Sequence, residues 1–229
     1  MRKKIKNKED EIKRYETAKK QAIQQLREIY KKAVKEVGEI HAEIFEVHIM
    51  MLEDDDYNDS ICNIITSQEV NAEYAVGITG DNFAEMFTNM EDDYLKARCA
   101  DVKDISERVI SILSGNNSDS GLGDEPVIIA AEDLAPSETV QMDKAKLLAF
   151  VTKAGSSNSH TAILARTMGI PALIGIDIET EWNGRMGIID GYSGNLIVDP
   201  DEETMAEYQL KKEQDIKRKE LLQTLMSKK

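Results

Sequence analysis

The sequence is poor in cysteine, in aromatic residues and in long apolar runs. Its two cysteines, Cys62 and Cys99, do not form the short pattern of a zinc site or a redox motif. The longest apolar runs, at residues 127–131 and 147–151, are far shorter than the roughly 20 residues that cross a membrane. The lysine-rich start lacks the apolar segment of a signal peptide. We therefore expect a cytoplasmic protein with no membrane segment.

One long segment lacks positive charge. Residues 36–95 contain no lysine or arginine but 16 aspartates and glutamates, whereas residues 1–35 contain 13 basic and 5 acidic residues. A segment of this charge repels the phosphate backbone, so we expect no nucleic-acid binding through it. The acidic stretch indicates either a basic partner or a solvated surface, and the charge alone leaves both open.

The first half of the chain has the periodicity of helices. Apolar residues recur at helical spacing over residues 3–37, 39–52, 57–76 and 82–114, and a breaker cluster follows at 114–118. Along 39–52 the apolar stripe is expected at Ile40, Ile44, Val47 and Met51. The spacing predicts an all-helical unit whose helices fold back on one another.

The second half changes to a mixed pattern. Strands are predicted at residues 126–131, 147–151 and 170–174, a short helix at 136–140, and a hairpin at 186–198. A charged helix is predicted over residues 201–226. We expect an α+β protein in several parts, with a helical part at 1–116, an α/β part at 124–200 and a C-terminal helix at 201–229.

The chain has three histidines, and His160 stands where a helical pattern starts after a run of small residues. The N-terminus of a helix offers unpaired N–H groups and a positive dipole end, which favour a neutral imidazole and a bound phosphate. His160 is thus a candidate nucleophile for a phosphoryl group, with the Thr161 hydroxyl as a further donor. Equally, Ser159 could simply cap the helix. His41 and His48 lie seven residues apart without further ligand candidates, so we expect no metal site.

The segment Ser159-His160-Thr161-Ala162-Ile163-Leu164-Ala165-Arg166 resembles the phosphohistidine signature of phosphoenolpyruvate-utilising enzymes. That signature is shared by pyruvate phosphate dikinases and by enzyme I of the phosphoenolpyruvate:sugar phosphotransferase system. Three further segments, at residues 44–54, 92–105 and 133–139, resemble enzyme I in order and spacing. The chain is therefore identified as a member of the enzyme I family.

The resemblance implies a fold and a partner. It implies a helical subdomain of two hairpins at 1–116 that binds the carrier protein HPr, an α/β swivelling subdomain at 124–200 and a linker helix at 201–229. It implies His160 as the catalytic residue, with Ser159 and Thr161 stabilising the phosphoryl group. The residues that match the HPr-binding surface are His48, Met50, Met51, Asp54, Asp55, Asp56, Phe87, Leu95 and Arg98.

The resemblance also implies a reaction that this chain performs only in part. In the family, phosphoenolpyruvate and Mg²⁺ bind a C-terminal barrel, and the histidine then passes the phosphoryl group to a histidine of HPr, with Nε2 as the expected nucleophile. We expect no cofactor in this chain, which matches the region before the barrel and begins inside the first helix. It should exchange phosphoryl only with HPr, as a monomeric fragment of a homodimeric enzyme.

Three residues depart from the family pattern. Ala135 stands where the family has a threonine whose hydroxyl is expected to orient the histidine, and Ser156 and Ser157 replace the usual glycine and arginine. Two alternatives follow. The chain could be an HPr-docking module with impaired transfer, or the swivelling domain of a dikinase-type enzyme.

Overall fold

The computed structural model describes residues 2–115, 125–135, 138–139, 142, 145–155 and 160–226. Its first half forms helices α1 (Lys8–Val37), α2 (Glu39–Glu53), α3 (Asp55–Gln68), α4 (Ala72–Thr88) and α5 (Asp93–Leu113). Its second half forms β1 (Val127–Ala131), β2 (Leu147–Thr152), α6 (His160–Met168), β3 (Ala172–Ile174), β4 (Gly187–Asp190), β5 (Asn195–Val198) and α7 (Glu202–Met226). The predicted combination of a helical part and an α/β part is confirmed.

The first helix begins later than the apolar periodicity predicts. The Asn7 side chain accepts hydrogen bonds from the backbone N–H groups of Glu9 (3.1 Å) and Asp10 (3.4 Å), so it caps α1 at residue 8. Ahead of this cap the chain is extended, and Lys4 pairs with Val70 in an antiparallel bridge. The expectation that the chain begins inside the first helix is therefore wrong.

The helices predicted over residues 57–76 and 82–114 are each broken once. The first break follows α3, where Glu69 adopts the left-handed conformation with φ 53°. The second break precedes α5, where the Asp92 carboxylate accepts a hydrogen bond from the Leu95 N–H (3.2 Å). Apolar residues continue at helical spacing across both breaks, so the periodicity alone conceals them.

The helices pack as antiparallel neighbours. Gly38, with φ 87°, reverses the chain between α1 and α2, and Arg27 on α1 lies 3.8 Å from the Glu53 carboxylate on α2. In the second pair, α4 approaches α5 so closely that Gly80 lies against Ser106. The two expected hairpins are present, and α3 packs against α4 between them.

The helical half has one continuous core to which every one of these helices contributes. Its fully buried large side chains include Tyr15, Leu26, Phe45, Leu52, Tyr57, Ile61, Ile65 and Ile105. Their burial, at about 25 cal/mol per Å² of apolar surface removed from water, is the main term that holds the bundle together.

The α/β half is built on a parallel sheet with strand order β1-β2-β3. The register between β1 and β2 shifts once, between Val127 and Ile128. Strands β4 and β5 form a separate antiparallel pair in which Asp190 lies opposite Asn195, so the predicted hairpin is confirmed. Of the short helix predicted at 136–140, only Glu138 and Thr139 lie within the described residues, and both are helical.

Helix α6 belongs to both halves. Leu164, 1% exposed, is part of the helical core, and α6 contacts α1 and α2. The next residue, Ala165, packs in the α/β core with Leu147 and Phe150. Because successive residues of a helix point about 100° apart, one short helix fills both cores. The backbone position at which α6 begins is therefore fixed relative to the helical half.

The C-terminal helix α7 is mostly exposed. The Tyr192 hydroxyl of the hairpin turn donates a hydrogen bond to the Asp215 carboxylate on α7 (2.6 Å). Across the part of the chain that the structure describes, none of the helices combines the length and the apolar character that a membrane span requires.

Candidate active site and acidic surface

The helix of His160 begins at the carboxyl end of the parallel sheet. After β2, the Ala154 N–H donates to the Glu132 carbonyl (2.7 Å), and Gly155 adopts φ 108°, which a side chain would disfavour. In sheets of this type, ligands bind outside the carboxyl ends of the strands. Residues 156–159 of the predicted loop, including Ser159, lie outside the described residues.

The ends of α6 are well defined. The helix is nine residues long, and its first turn presents the backbone N–H groups that have no partner within a helix. At its other end, Gly169 (φ 71°) donates to the Arg166 carbonyl (3.1 Å) and Ile170 donates to the Ala165 carbonyl (2.9 Å). This pair of bonds is a Schellman motif. The side chains of His160 and Thr161 lie outside the described part of the chain.

A second loop, which follows β1, borders the same edge of the sheet. The Ala135 N–H donates to the Glu138 carboxylate (2.9 Å), and the buried Thr139 hydroxyl donates to the Ala135 carbonyl (3.1 Å). A Cβ built on Gly155 would lie 3.9 Å from the Asp133 carboxylate, so the chain that leads into α6 passes close to this loop. The backbone of residue 135 is thus fixed, but its side chain offers no hydroxyl.

Helix α5 brings charged groups to the neighbourhood of this loop. Burial raises the pKa of Glu107, and the negative charges of Asp104 and Glu138 raise it further. Burial lowers the pKa of Arg108 against the opposing effect of the same two carboxylates. The Arg108 guanidinium also donates to the Gln25 amide oxygen on α1 (3.1 Å). The boundary between the helical and α/β halves is therefore polar beside the loop of residue 135.

The outer face of α2 carries an exposed methionine among carboxylates. Met50 is 69% exposed, and Glu43, Glu46 and Glu53 are exposed at spacings of three or four residues, which places them on the same face. The aspartates that follow are also exposed, and the first of them caps α3. We define the acidic surface as Glu43, Glu46, Met50, Glu53, Asp54, Asp55 and Asp56. Of the two methionines that match the HPr-binding surface, Met50 is therefore exposed.

His48 does not belong to this surface. Its side chain is fully buried, and its Nε2 lies 3.3 Å from Asp101 Oδ1 while its Nδ1 lies 3.6 Å from Asp104 Oδ2. The Phe45 ring packs edge-on against the imidazole at 6.1 Å between centroids. The prediction that His48 is a surface contact for a partner is therefore wrong in this structure, because α2 turns this position toward α5.

The other residues predicted to lie on the HPr-binding surface differ in how far their side chains are exposed. Met51 and Phe87 are partly buried against the helical core, whereas Leu95 is 37% exposed in the first turn of α5. The Arg98 side chain is only 14% exposed, and its Nη1 donates to Asp101 Oδ2 (3.1 Å). Arg98 therefore lies at the boundary between core and solvent.

The residues that the sequence reasoning missed are Asp101 and Asp104. Both are buried, and they face His48 across the α2–α5 contact. The available signal was two carboxylates spaced i, i+3 beside the apolar stripe of α5, together with a histidine on another helix. Within the described ranges, the structure holds no group of three His, Cys, Asp or Glu side chains that could bind a metal ion.

Comparison with known families defines the class of protein. The family model described as "PEP-utilising enzyme, N-terminal" matches residues 2–98, and the family model described as "PEP-utilising enzyme, mobile domain" matches residues 123–194. The second match includes the parallel sheet, α6 and β4, and it ends just before β5. Both families belong to proteins that use phosphoenolpyruvate.

Two solved structures similar to this chain identify its family more closely. A solution NMR structure of an enzyme I protein is 37% identical, covers 93% of this chain and 88% of its own, and superposes with a TM-score of 0.73. The N-terminal domain of Enzyme 1-Nitrogen is 28% identical over 91% of this chain and 86% of its own, with a TM-score of 0.64. The chain belongs to the enzyme I family.

The curated relatives are longer than this chain. The phosphoenolpyruvate-protein phosphotransferase of Priestia megaterium is 41% identical over 206 residues, which are 89% of this chain and 36% of the relative. That of Bacillus subtilis (strain 168) is 37% identical over 213 residues, which are 92% of this chain and 37% of the relative. The chain thus spans a little more than a third of the length of these relatives.

Proposed function

We propose that this chain is a phosphoryl relay of a sugar phosphotransferase system. In this proposal His160 accepts a phosphoryl group that originates from phosphoenolpyruvate and passes it to a histidine of the carrier HPr, in the cytoplasm. Phosphoenolpyruvate and Mg²⁺ would bind a separate domain, and this chain would need no cofactor of its own. As a monomeric piece of a homodimeric enzyme, it would exchange phosphoryl with HPr alone.

The observation that carries the proposal is the start of α6 at His160, at the carboxyl end of a parallel sheet. The backbone N–H groups of the first turn and the positive dipole end would stabilise the charge of a phosphoryl group on the imidazole. The hydroxyls of Ser159 and Thr161 would add donors. The membership of the chain in the enzyme I family supports this assignment.

The proposed phosphoryl transfer between HPr and His160 needs no third reactant. The lone pair of a His160 nitrogen, Nε2 by analogy with the family, attacks the phosphorus of phospho-HPr. A nitrogen–phosphorus bond forms on His160 as the one on HPr breaks, and the electron pair of the broken bond returns to the HPr imidazole. Such a transfer depends mainly on in-line positioning and on charge stabilisation.

The acidic surface would dock the carrier. Its carboxylates would attract a basic partner and raise the association rate, while Met50 would contribute apolar contact area. Met51, Phe87, Leu95 and Arg98 would border this contact. The exposure of Met50 among these carboxylates supports a docking surface for a basic partner over a merely solvated face.

Phosphorus NMR of the chain mixed with phospho-HPr tests the transfer. We expect a new phosphohistidine signal on this chain, and no such signal from the His160→Ala variant. His41→Ala is the matched control, because it removes a histidine elsewhere on the chain and should label normally. Labelling of the His160→Ala variant at the normal level would contradict the proposal. Tight HPr binding without transfer would instead favour the alternative of a docking module.

Calorimetric titration with HPr tests the docking surface. We expect Met50→Ala to weaken binding by about tenfold, as the loss of an exposed apolar anchor would. Met186→Ala is the matched control, since Met186 is 62% exposed but lies in the α/β half. Equal affinities for the two variants would contradict the assignment of Met50. Failure of the unmodified chain to bind HPr would favour the dikinase-type alternative.

A further inference from the structure

The contact between α2 and α5 contains a carboxylate that is paired through both of its oxygens. Asp101 is 2% exposed. Its Oδ1 lies 3.3 Å from His48 Nε2 on α2, and its Oδ2 accepts a hydrogen bond from Arg98 Nη1 on α5 at 3.1 Å. One buried side chain thus connects two helices and a residue of the predicted docking region.

The His48 side of this network is rigidly packed. The imidazole is fully buried between the Phe45 ring and the carboxylates of Asp101 and Asp104. A buried carboxylate is costly unless its oxygens are paired, so the position of Asp101 is tied to the position of the His48 ring. Because His48 is part of α2, the position of α2 determines the position of Asp101 on α5. It thereby also determines the position of the Arg98 side chain that Asp101 binds.

The Arg98 side of the network reaches the surface. Arg98 precedes Asp101 by three residues, and its guanidinium lies one turn from Leu95, which is 37% exposed. An arginine side chain has several rotatable bonds and loses conformational entropy when it is fixed. A buried hydrogen-bond acceptor that holds the guanidinium in advance removes part of that cost from binding.

We propose that Asp101 is a positioning residue for docking: it holds the Arg98 guanidinium in place and aligns it with α2 through His48. This inference rests on the proposed function, because it assumes that HPr is the molecule that docks. Asp101 itself does not touch the partner. Asp101 thereby fixes the relative position of α2 and α5, the two helices that border the docking region, before the partner binds.

The first test uses the isosteric variant Asp101→Asn and HPr as the probe. The amide can accept only one of the two hydrogen bonds and has no charge, so we expect the dissociation constant for HPr to rise about tenfold. Asp104→Asn is the matched control, since it makes the same change at a buried aspartate on the same helix beside the same histidine. We expect its effect to stay within twofold. Equal effects of the two variants would overturn the inference.

A double-mutant cycle separates positioning from stability. If Asp101 acts through Arg98, Arg98→Ala combined with Asp101→Asn should bind HPr no more weakly than Arg98→Ala alone. If Asp101 only stabilises the fold, the two losses of affinity should multiply, and the inference fails.

A measurement on the unmodified chain keeps the inference testable if Asp101→Asn does not fold. Nitrogen-15 relaxation of the arginine side chains should show the Nε of Arg98 to be rigid without HPr. The Nε of Arg27, whose side chain is 57% exposed, should be mobile. A mobile Arg98 would overturn the inference whether or not HPr binds. A rigid Arg98 in a chain that does not bind HPr would instead count against the proposed function.

Discussion

Gly80 of α4 lies directly against the side chain of Ser106 on α5. A Cβ built on Gly80 would come within 2.5 Å of Ser106 Oγ and 2.9 Å of Ser106 Cβ. Ser106 cannot easily move away, because its hydroxyl is hydrogen-bonded to the Tyr57 hydroxyl (2.7 Å) and to the Val102 carbonyl (2.7 Å). The absence of a side chain at residue 80 therefore sets the separation of these two helices.

We predict that Gly80→Ala destabilises the chain by about 1–3 kcal/mol, the usual cost of overpacking a core, even though alanine favours a helix. Gly77→Ala on the same helix is the control, since its Cβ would meet only Ile110 at 3.8 Å. That variant should gain up to about 1 kcal/mol. Urea denaturation measures both. A Gly80→Ala variant as stable as Gly77→Ala would show that α4 and α5 can separate freely.

The ion pair between Arg14 and Glu73 predicts a dependence of stability on pH. Burial acts to raise the pKa of Glu73, but hydrogen bonds from Arg14 and Asn71 outweigh it and bring the pKa to about 2. The folded pKa lies below the unfolded value of about 4.3, so the stabilisation is complete above that pH and is lost as pH falls toward 2. The pair is partly solvated, so we expect this loss to be about 1–2 kcal/mol.

Urea denaturation between pH 7 and pH 3 checks this prediction. Glu73→Gln should be less stable than the unmodified chain at pH 7, and the difference should shrink as the pH falls below about 4.3. Glu85→Gln, at an exposed carboxylate of the same helix, is the control and should change little at either pH. A difference between Glu73→Gln and the unmodified chain that stays constant down to pH 3 would contradict the assignment.

The regular elements were predictable where local pattern and tertiary packing agree. The apolar runs at 127–131 and 147–151 identify the strands β1 and β2, and the turn residues at 191–194 identify the hairpin between β4 and β5. The breaks after α3 and before α5 were missed. Single capping residues set them, and the apolar spacing continues across each.

The buried face of α2 was predicted only in part. The expected stripe was Ile40, Ile44, Val47 and Met51, but Ile40 is 80% exposed and the fully buried residues of α2 include Phe45, His48 and Leu52. Hydropathy cannot select His48 for the core, because the imidazole is stabilised there by two carboxylates from a helix some 50 residues away. The partners of a buried polar group come from tertiary structure.

Restoring a hydroxyl at residue 135 should speed the proposed transfer. The backbone of Ala135 is fixed by Glu138 and Thr139, so Ala135→Thr would place a hydroxyl in the loop beside the chain that leads into α6. One added hydrogen bond that orients His160 is worth about 1 kcal/mol, which corresponds to roughly a fivefold faster exchange with phospho-HPr. Ala130→Thr, at an exposed position of β1, is the control and should leave the rate unchanged. Rapid-quench measurements that give equal rates for both variants would count against this role.

The acidic surface should act mainly on the rate of association. Asp55→Lys combined with Asp56→Lys reduces the formal charge of the acidic surface from −6 to −2. It spares Asp54, which caps α3 by accepting from the Tyr57 N–H (3.0 Å). We expect the association rate constant with HPr to fall by about 10–100-fold at low salt, and by much less at 1 M salt, where the Debye length is about 3 Å.

Glu179→Lys combined with Glu181→Lys makes the same change in net charge on an exposed segment of the α/β half. Stopped-flow measurements should show a much smaller effect for this control pair, because steering depends on where the charge lies as well as on its total. If both pairs slow association equally, the net charge of the chain, rather than the acidic surface, attracts the carrier. If neither pair slows it, electrostatic attraction does not guide the encounter, and the apolar contact around Met50 must account for the affinity.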